Sequence, residues 1–412
     1  MKFYFPDSQD LVSPTYNFVQ DEYSPFRVRQ RDDRYAHEVL ARAPYHGMLV
    51  SKSIVDGSVK GAGKYTSAQR ARLYRLGVEK FFRLPDTIES LGDNGAFNYA
   101  DEQVPPVSVS ETLDFYEGCG FTSGVSVDHI IFGYERDHDF ETVDPAWAER
   151  RLLTLRLAEE FIGQISDQGL RVEPVGAAQG WSPASYADSV RQLQDMGYRR
   201  IALGGMVPLK TVDIMDCLAA IDEVRGPETE LHLLGVTRVG SMNAFAGYGV
   251  TSFDSTSAFR QAFMDDRDNF HTENDSFVAL RVPQVDGNPT LRRGILSGQI
   301  SQKDAIQLER ACLKALREFD RSEASLQGAL ALLADYEVLC QSKKSYGAEY
   351  ERTLSAAPWT ACECTLCREL GIEIAIFRGT ERNKRRGFHN LSVLAAKMER
   401  LPVRPTQRSN SG

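Results

Sequence analysis

The chain has 412 residues, 42% hydrophobic and 25% charged, with a formal net charge of −9. That length holds one large domain with an appendage or two ordinary domains, and the composition excludes a disordered or fibrous chain. The acidic balance argues against indiscriminate coating of nucleic acid, no apolar run reaches the length of a membrane span, and an acidic residue in "MKFYFPDSQD" interrupts what would be a signal peptide, so a cytoplasmic protein is expected.

In chain order, short apolar runs read as strands at 47–55, 80–85, 124–132, 171–179, 199–205, 230–236, 249–255 and 276–284. Helical patterns with start signals lie between them. "TSAQRARLYRLG" opens with a Thr66-x-x-Gln69 capping box. Asp144 and Ser182 cap two further helices with Pro145 and Pro183 in their first turns, and Gly197 stops the second. Strands alternating with helices imply parallel pairing, and roughly eight of them imply a (β/α)8 TIM barrel, in the α/β class. An open doubly wound sheet is the alternative, but no G-x-G-x-x-G follows an early strand. Past residue 290 the pattern is helical. The expected division is an N-terminal extension over 1–45 packed on a barrel over 46–290, a helical zinc-binding region over 291–400 and a disordered tail over 401–412.

Seven cysteines are present. Cys119, Cys217, Cys312 and Cys340 are scattered and read as reduced core thiols. Cys362, Cys364 and Cys367 share one tight turn, with His389 expected at the start of the next helix. Three thiolates and an imidazole suit tetrahedral Zn2+, and four protein ligands leave no open position, so the site is expected to be structural. Three basic runs, "RVRQRDDR", "RGTERNKRRGFHN" and "RLPVRPTQR", are candidates for a local basic face, although such runs are usually solvated surface.

Polar groups gather at the C-terminal ends of the candidate strands, where barrel enzymes place their chemistry. They are Asp93 in "DNGAF", Asp128 in "SVDH", Gln179 in "GAAQG", Gly204 and Gly205 in "LGGM", and Asp254 in "FDS". Each has an ordinary reading. Asp93 could stabilise a turn with Gly95, Asp128 and Gln179 could be satisfied strand-end residues, the glycines could form a simple turn, and Asp254 could cap the next helix.

Their order, together with LLGV, the C-x-C-x2-C cluster and HNL, resembles the tRNA-guanine transglycosylase superfamily from about residue 45 to 400. That resemblance implies a zinc-bearing (β/α)8 barrel that exchanges guanine in a polynucleotide for a 7-deazaguanine. Position by position, it implies Asp254 as the nucleophile that attacks the sugar's anomeric carbon and Asp93 as the general acid/base. It implies Asp128 as reader of the guanine edge, Gln179 and the backbone at Gly204 and Gly205 as contacts to the base carbonyl, and Arg260 as a contact to the polynucleotide. The chemistry suits these residues: a carboxylate can trap an oxocarbenium-like sugar, a second can manage the proton of the departing base, and the nucleotide must first be flipped out.

"FDSTSAFR" keeps Arg260 but lacks the cysteine and proline of the tRNA enzymes, and "DNGAFN" replaces their DSGGFQ. These departures resemble the branch that inserts 7-cyano-7-deazaguanine (preQ0) into DNA in bacterial and phage modification systems. That branch implies DNA as the partner polynucleotide and a partner ATPase of the ParB-like nuclease type. Family members often dimerise, and nothing in the sequence marks an interface. Three alternatives remain: a tRNA-guanine transglycosylase, a catalytically silent nucleic-acid-binding subunit, and a zinc-stabilised barrel acting on a small molecule. Retention of both Asp93 and Asp254 argues against the silent subunit.

Overall fold

Side chains along a strand alternate between faces, so every second residue of a barrel strand points into the barrel. In the computed structural model, which describes residues 1–58, 61, 63–137 and 140–401, eight parallel strands use this alternation to build one interior. They are β1 (Lys2–Pro6), β2 (Gly47–Ser51), β3 (Glu89–Asp93), β4 (Ser123–Val125), β5 (Glu173–Ala178), β6 (Arg200–Leu203), β7 (Glu230–Leu233) and β8 (Val250–Asp254). They pair in sequence order, and β8 returns to β1 with Tyr4 opposite Asp254, which closes the barrel. Tyr4, Leu49, Leu91, Val125, Val175, Ala177 and Ala202 fill the inside.

The expected caps are in place. The Thr66 side chain accepts from Gln69 N, Asp144 from Ala146 N and Ser182 from Ser185 N, heading helices Ser67–Phe82, Pro145–Gln168 and Pro183–Asp195. Such caps stabilise a helix by about 1 kcal/mol each.

Two expected strands are corrected. The run 80–85 is not a strand: its phenylalanines, Phe81 and Phe82, form the buried last turn of the helix Ser67–Phe82, and β3 begins at Glu89. The run 276–284 does not enter the barrel. Ser276–Phe277 pairs antiparallel with Phe270–His271, and Leu280–Arg281 pairs with Ile376–Phe377. The strand that completes the ring is Lys2–Pro6, inside the stretch expected as an extension. The basic tail and its expected disorder lie outside the described residues from 402 onward.

The described residues divide into two compact units, Met1–Gln9 with Tyr45–Thr256 and 398–401, and Asp10–Pro44 with Ser257–Lys397. The first contains the barrel. The second contains helices Gln302–Asp320, Leu326–Leu339 and Gly379–Glu399. Its interior is unusually rich in arginine. Arg378, Arg382, Arg385 and Arg386 of "RGTERNKRRGFHN" are all buried, so this run is not a basic face. Arg378 and Arg382 share Asp21 and reach Glu309 and Glu373 respectively, while Arg385 pairs with Glu381. Burial would raise Asp21, but the Arg382 guanidinium, ahead of Arg378, holds it below the usual carboxylate range. Among the described residues, no helix is long and apolar enough to cross a membrane.

Candidate active site and metal-ligand cluster

Strand alternation explains why apolar strands end on polar groups. Asp93 lies two residues beyond the interior residue Leu91, and Gln179 two beyond Ala177. Asp254 lies two beyond the inward Ser252 on β8. Each side chain therefore joins the interior one layer above the apolar core, at the C-terminal rim.

Asp128, just past β4, is gripped on both oxygens. Gln179 Nε2 donates to Oδ2 at 2.6 Å and Asn94 Nδ2 to Oδ1 at 3.2 Å. The Tyr99 hydroxyl donates to Asn94 Oδ1 and lies 3.1 Å from the Asp128 carbonyl. Gln179 Oε1 accepts from Ile131 N at 3.2 Å, so its amide orientation is fixed. Burial pushes Asp128 up to about 6, with the Gln179 and Asn94 bonds opposing the rise.

Asp93 is raised further, to about 7, first by burial and then by the Asp128 charge, with Asp254 adding less. Gly95 N–H and the Ser51 hydroxyl partly offset this. Gly95 is required here: its φ is +88°, and a Cβ would lie 1.9 Å from Ser53 Oγ and 2.5 Å from Ser51 Oγ. Gly205 has φ +73°, and a Cβ there would lie 2.6 Å from the Ile131 carbonyl and 3.1 Å from Gln179 Oε1. At Gly204, whose carbonyl accepts from Tyr186 OH at 2.7 Å, a Cβ would meet Gln179 Nε2 at 2.1 Å. The glycine pair thus lets backbone run against the Gln179 amide.

The hydrogen bonds of Asp254 run sideways to β7 and its loop. Gly235 N donates to Oδ1 at 2.8 Å, and His232 Nε2 lies 3.2 Å from the same oxygen. Arg260 belongs to the second unit, exposed on helix Ser257–Met264 with its guanidinium against Met264 Sδ.

Asn94, Tyr99, Ser51, His232 and Ser252 were missed in the sequence. The available signal for His232 was its inward place in the alternation of "ELHLLGV", opposite Ala202 of the interior. Asn94 follows β3 directly and Tyr99 ends the single 3-10 turn Ala96–Tyr99, both too short for a period to carry information.

In the second unit, one ligand atom from each of Cys362, Cys364, Cys367 and His389 lies within 4.8 Å of all the others, a cluster able to hold a metal ion. Cys364 caps the short helix Thr365–Leu370, which folds Cys367 back beside it. His389 does not begin a helix as expected but lies midway along Gly379–Glu399. Its Nδ1 faces the three sulfurs at 3.4–3.6 Å. Its Nε2 lies 2.8 Å from the His271 carbonyl, which fixes the proton there and leaves the Nδ1 lone pair toward the thiols.

The chain matches no protein-family model. It is similar to a DNA-guanine transglycosylase of Salmonella montevideo, 47% identical over 405 residues that cover 97% of each protein. Identity at that level over nearly the whole length shows common ancestry, with the barrel and its flanking helices as the common fold. The chain is an enzyme of the glycosyltransferase type and belongs to the DNA-modification branch of the tRNA-guanine transglycosylase superfamily.

Proposed function

We propose that this protein exchanges guanine in DNA for 7-cyano-7-deazaguanine through a covalent aspartyl-sugar intermediate. The observation that carries the reading is the meeting of Asp93, Asp128, Gln179 and Asp254 at one barrel rim, in a protein 47% identical to a DNA-guanine transglycosylase. Asp128, ionised in most molecules at pH 7 and pre-aimed by Gln179 and Asn94, accepts from N1–H and the amino group of a flipped-out guanine. Gln179 and the backbone at Gly204 and Gly205 face the base carbonyl.

A carboxylate oxygen of Asp254 forms a bond to C1′ as the C1′–N9 bond breaks, and the electron pair leaves on guanine. Asp93, poised between acid and base near neutral pH, supplies the proton. Guanine departs, and the Asp93 carboxylate takes the N9 proton of the incoming deazaguanine. Its nitrogen then attacks C1′ and Asp254 is released. Arg260 contacts the polynucleotide.

The metal cluster fits Zn2+: tetrahedral bonds of about 2.3 Å to sulfur and 2.0–2.1 Å to nitrogen imply sulfur–nitrogen separations near 3.5 Å. The observed separations are 3.4–3.6 Å. With four protein ligands, the ion would fasten the cysteine turn to the helix Gly379–Glu399 and take no part in the chemistry.

The test is a nucleoside digest of plasmid DNA and bulk tRNA after incubation with the protein and 7-cyano-7-deazaguanine. Arms with and without a ParB-like ATPase partner address that dependence, and sedimentation addresses the dimer. The modified deoxynucleoside is expected. Modified nucleoside in tRNA alone, or in neither polymer, would contradict the reading.

A further inference from the structure

The bonds around Asp254 distinguish its two oxygens. Oδ1 receives Gly235 N–H at 2.8 Å and faces His232 Nε2 at 3.2 Å. His232 Nδ1 lies 2.9 Å from Ser252 Oγ. A carboxylate only accepts, so with Asp254 ionised the imidazole is the Nε2–H tautomer, and the Ser252 hydroxyl donates to Nδ1.

This chain of bonds depends on an irregularity in the barrel. Along β7 and β8, Leu231 pairs with Val250 but His232 pairs with Ser252, leaving Thr251 as an extra residue. A regular register would set His232 opposite Thr251. The extra residue on β8 instead brings Ser252 opposite His232, on the inward face that His232 already shares with Ala202, beneath Asp254. The ring is buried and held edge-on by Tyr4 at 5.6 Å.

Resting on the transglycosylase reading above, we propose that His232 is a positioning residue that ties down Oδ1 of Asp254, so that Oδ2 is the oxygen that bonds to C1′. In the first half-reaction the fixed carboxylate presents the Oδ2 lone pair as the bond to guanine breaks. In the second, the electron pair of the Oδ2–C1′ bond returns to the carboxylate, and the donors on Oδ1 stabilise that returning charge. The acceptor-only carboxylate sets the tautomer, the Ser252 hydroxyl anchors Nδ1, and the His232 ring sets the direction.

The test uses the full-length protein with a guanine-containing DNA duplex and 7-cyano-7-deazaguanine, under conditions that support wild-type exchange. Rapid-quench formation of the DNA–protein adduct, KM for DNA and thermal stability are read for His232→Leu, His232→Gln and Ser252→Ala. His232→Leu is expected to slow adduct formation roughly ten- to a hundredfold with little change in KM, because one donor to a charged group is lost. His232→Gln, which can place an amide N–H near the Nε2 position, is expected to recover much of that rate. Ser252→Ala, which keeps the ring but removes its anchor at Nδ1, is expected to slow it several-fold and decides the matter if His232→Leu does not fold.

Wild-type rates in His232→Leu or Ser252→Ala overturn the proposal, as does a folded His232→Gln no faster than His232→Leu. A wild-type protein that forms no adduct under any condition removes the transglycosylase reading and this inference with it. A wild-type adduct with unaltered variants removes this inference alone.

Discussion

After burial, the charge of Asp128 is the largest influence raising Asp93 to about 7. The folded protein therefore holds a proton on Asp93 well above its ordinary value of 3.8. Over that interval the folded state binds more protons than the unfolded chain, so this group's contribution to stability falls as pH rises from about 4 to 7 and is level beyond. Asp93→Asn removes the ionisable group. It is expected to stabilise the protein by roughly 1–3 kcal/mol at pH 8 while changing little near pH 4, and to abolish base exchange. Urea denaturation across that range checks the sign. A variant destabilised equally at both pH values would show that Asp93 is not held protonated.

Much of this site was legible in the sequence because a period of two is simple to follow. Gln179 and Asp254 could be located as strand-end groups from the apolar runs before them, Asp93 only as a loop residue after a misplaced strand, and Cys362, Cys364 and Cys367 from their spacing. What was not legible depended on nonlocal geometry. "KFF" has the same composition in a strand or in a buried last helical turn, and only packing makes Phe81 and Phe82 helical. Lys2–Pro6 joins the barrel by pairing with β8, some 250 positions away in sequence, which no local pattern announces. The arginines from Arg378 to Arg386 read as surface because some of their partners, Asp21, Glu309 and the Ala262 carbonyl, are distant in the chain. The bulge at Thr251 that brings His232 to Ser252 has no glycine or proline to mark it.

Gly95 permits the left-handed turn that brings its own N–H to the Asp93 carboxylate and lets the backbone run against Ser51 and Ser53. Gly95→Ala forces a Cβ into both hydroxyls and leaves an alanine at φ +88°. A destabilisation of about 1–3 kcal/mol is expected, with a larger proportional loss of exchange rate than of stability. Thermal denaturation beside initial rates separates the two, and an active Gly95→Ala protein would show that the turn need not be kept.

Arg386 is fully buried and donates to carbonyls rather than to a carboxylate: Ala262 at 2.5 Å, Ile376 at 3.1 Å and Ile374 at 3.4 Å, with Asn383 Oδ1 at 2.6 Å. Burial without a counter-charge pushes its pKa down to about 9. Arg386→Ala leaves those acceptors without a donor and opens a cavity, so a loss of about 3–5 kcal/mol is expected by urea denaturation. A loss below about 1 kcal/mol would mean that water replaces the guanidinium without cost.

Cys364 both caps a helix and faces His389 at 3.5 Å. With Zn2+ in the cluster, one ion per chain is expected in the wild type and a small fraction of that in Cys364→Ser, with stability lowered by several kcal/mol and chelator treatment of the wild type giving a similar loss. Elemental analysis with thermal denaturation tests this. A variant that stays metal-loaded and stable would mean that Cys364 is not a ligand.

If Asp254 is the nucleophile on DNA, it carries the sugar in an intermediate that can be trapped and mapped. The protein is incubated with a guanine-containing duplex, quenched and digested, and the modified peptide is identified by mass spectrometry. A deoxyribosyl ester on Asp254 is expected, absent from Asp254→Ala, while that variant keeps its fold and metal content and loses exchange by at least roughly a thousandfold. An adduct on another residue, or full exchange by Asp254→Ala, would contradict it.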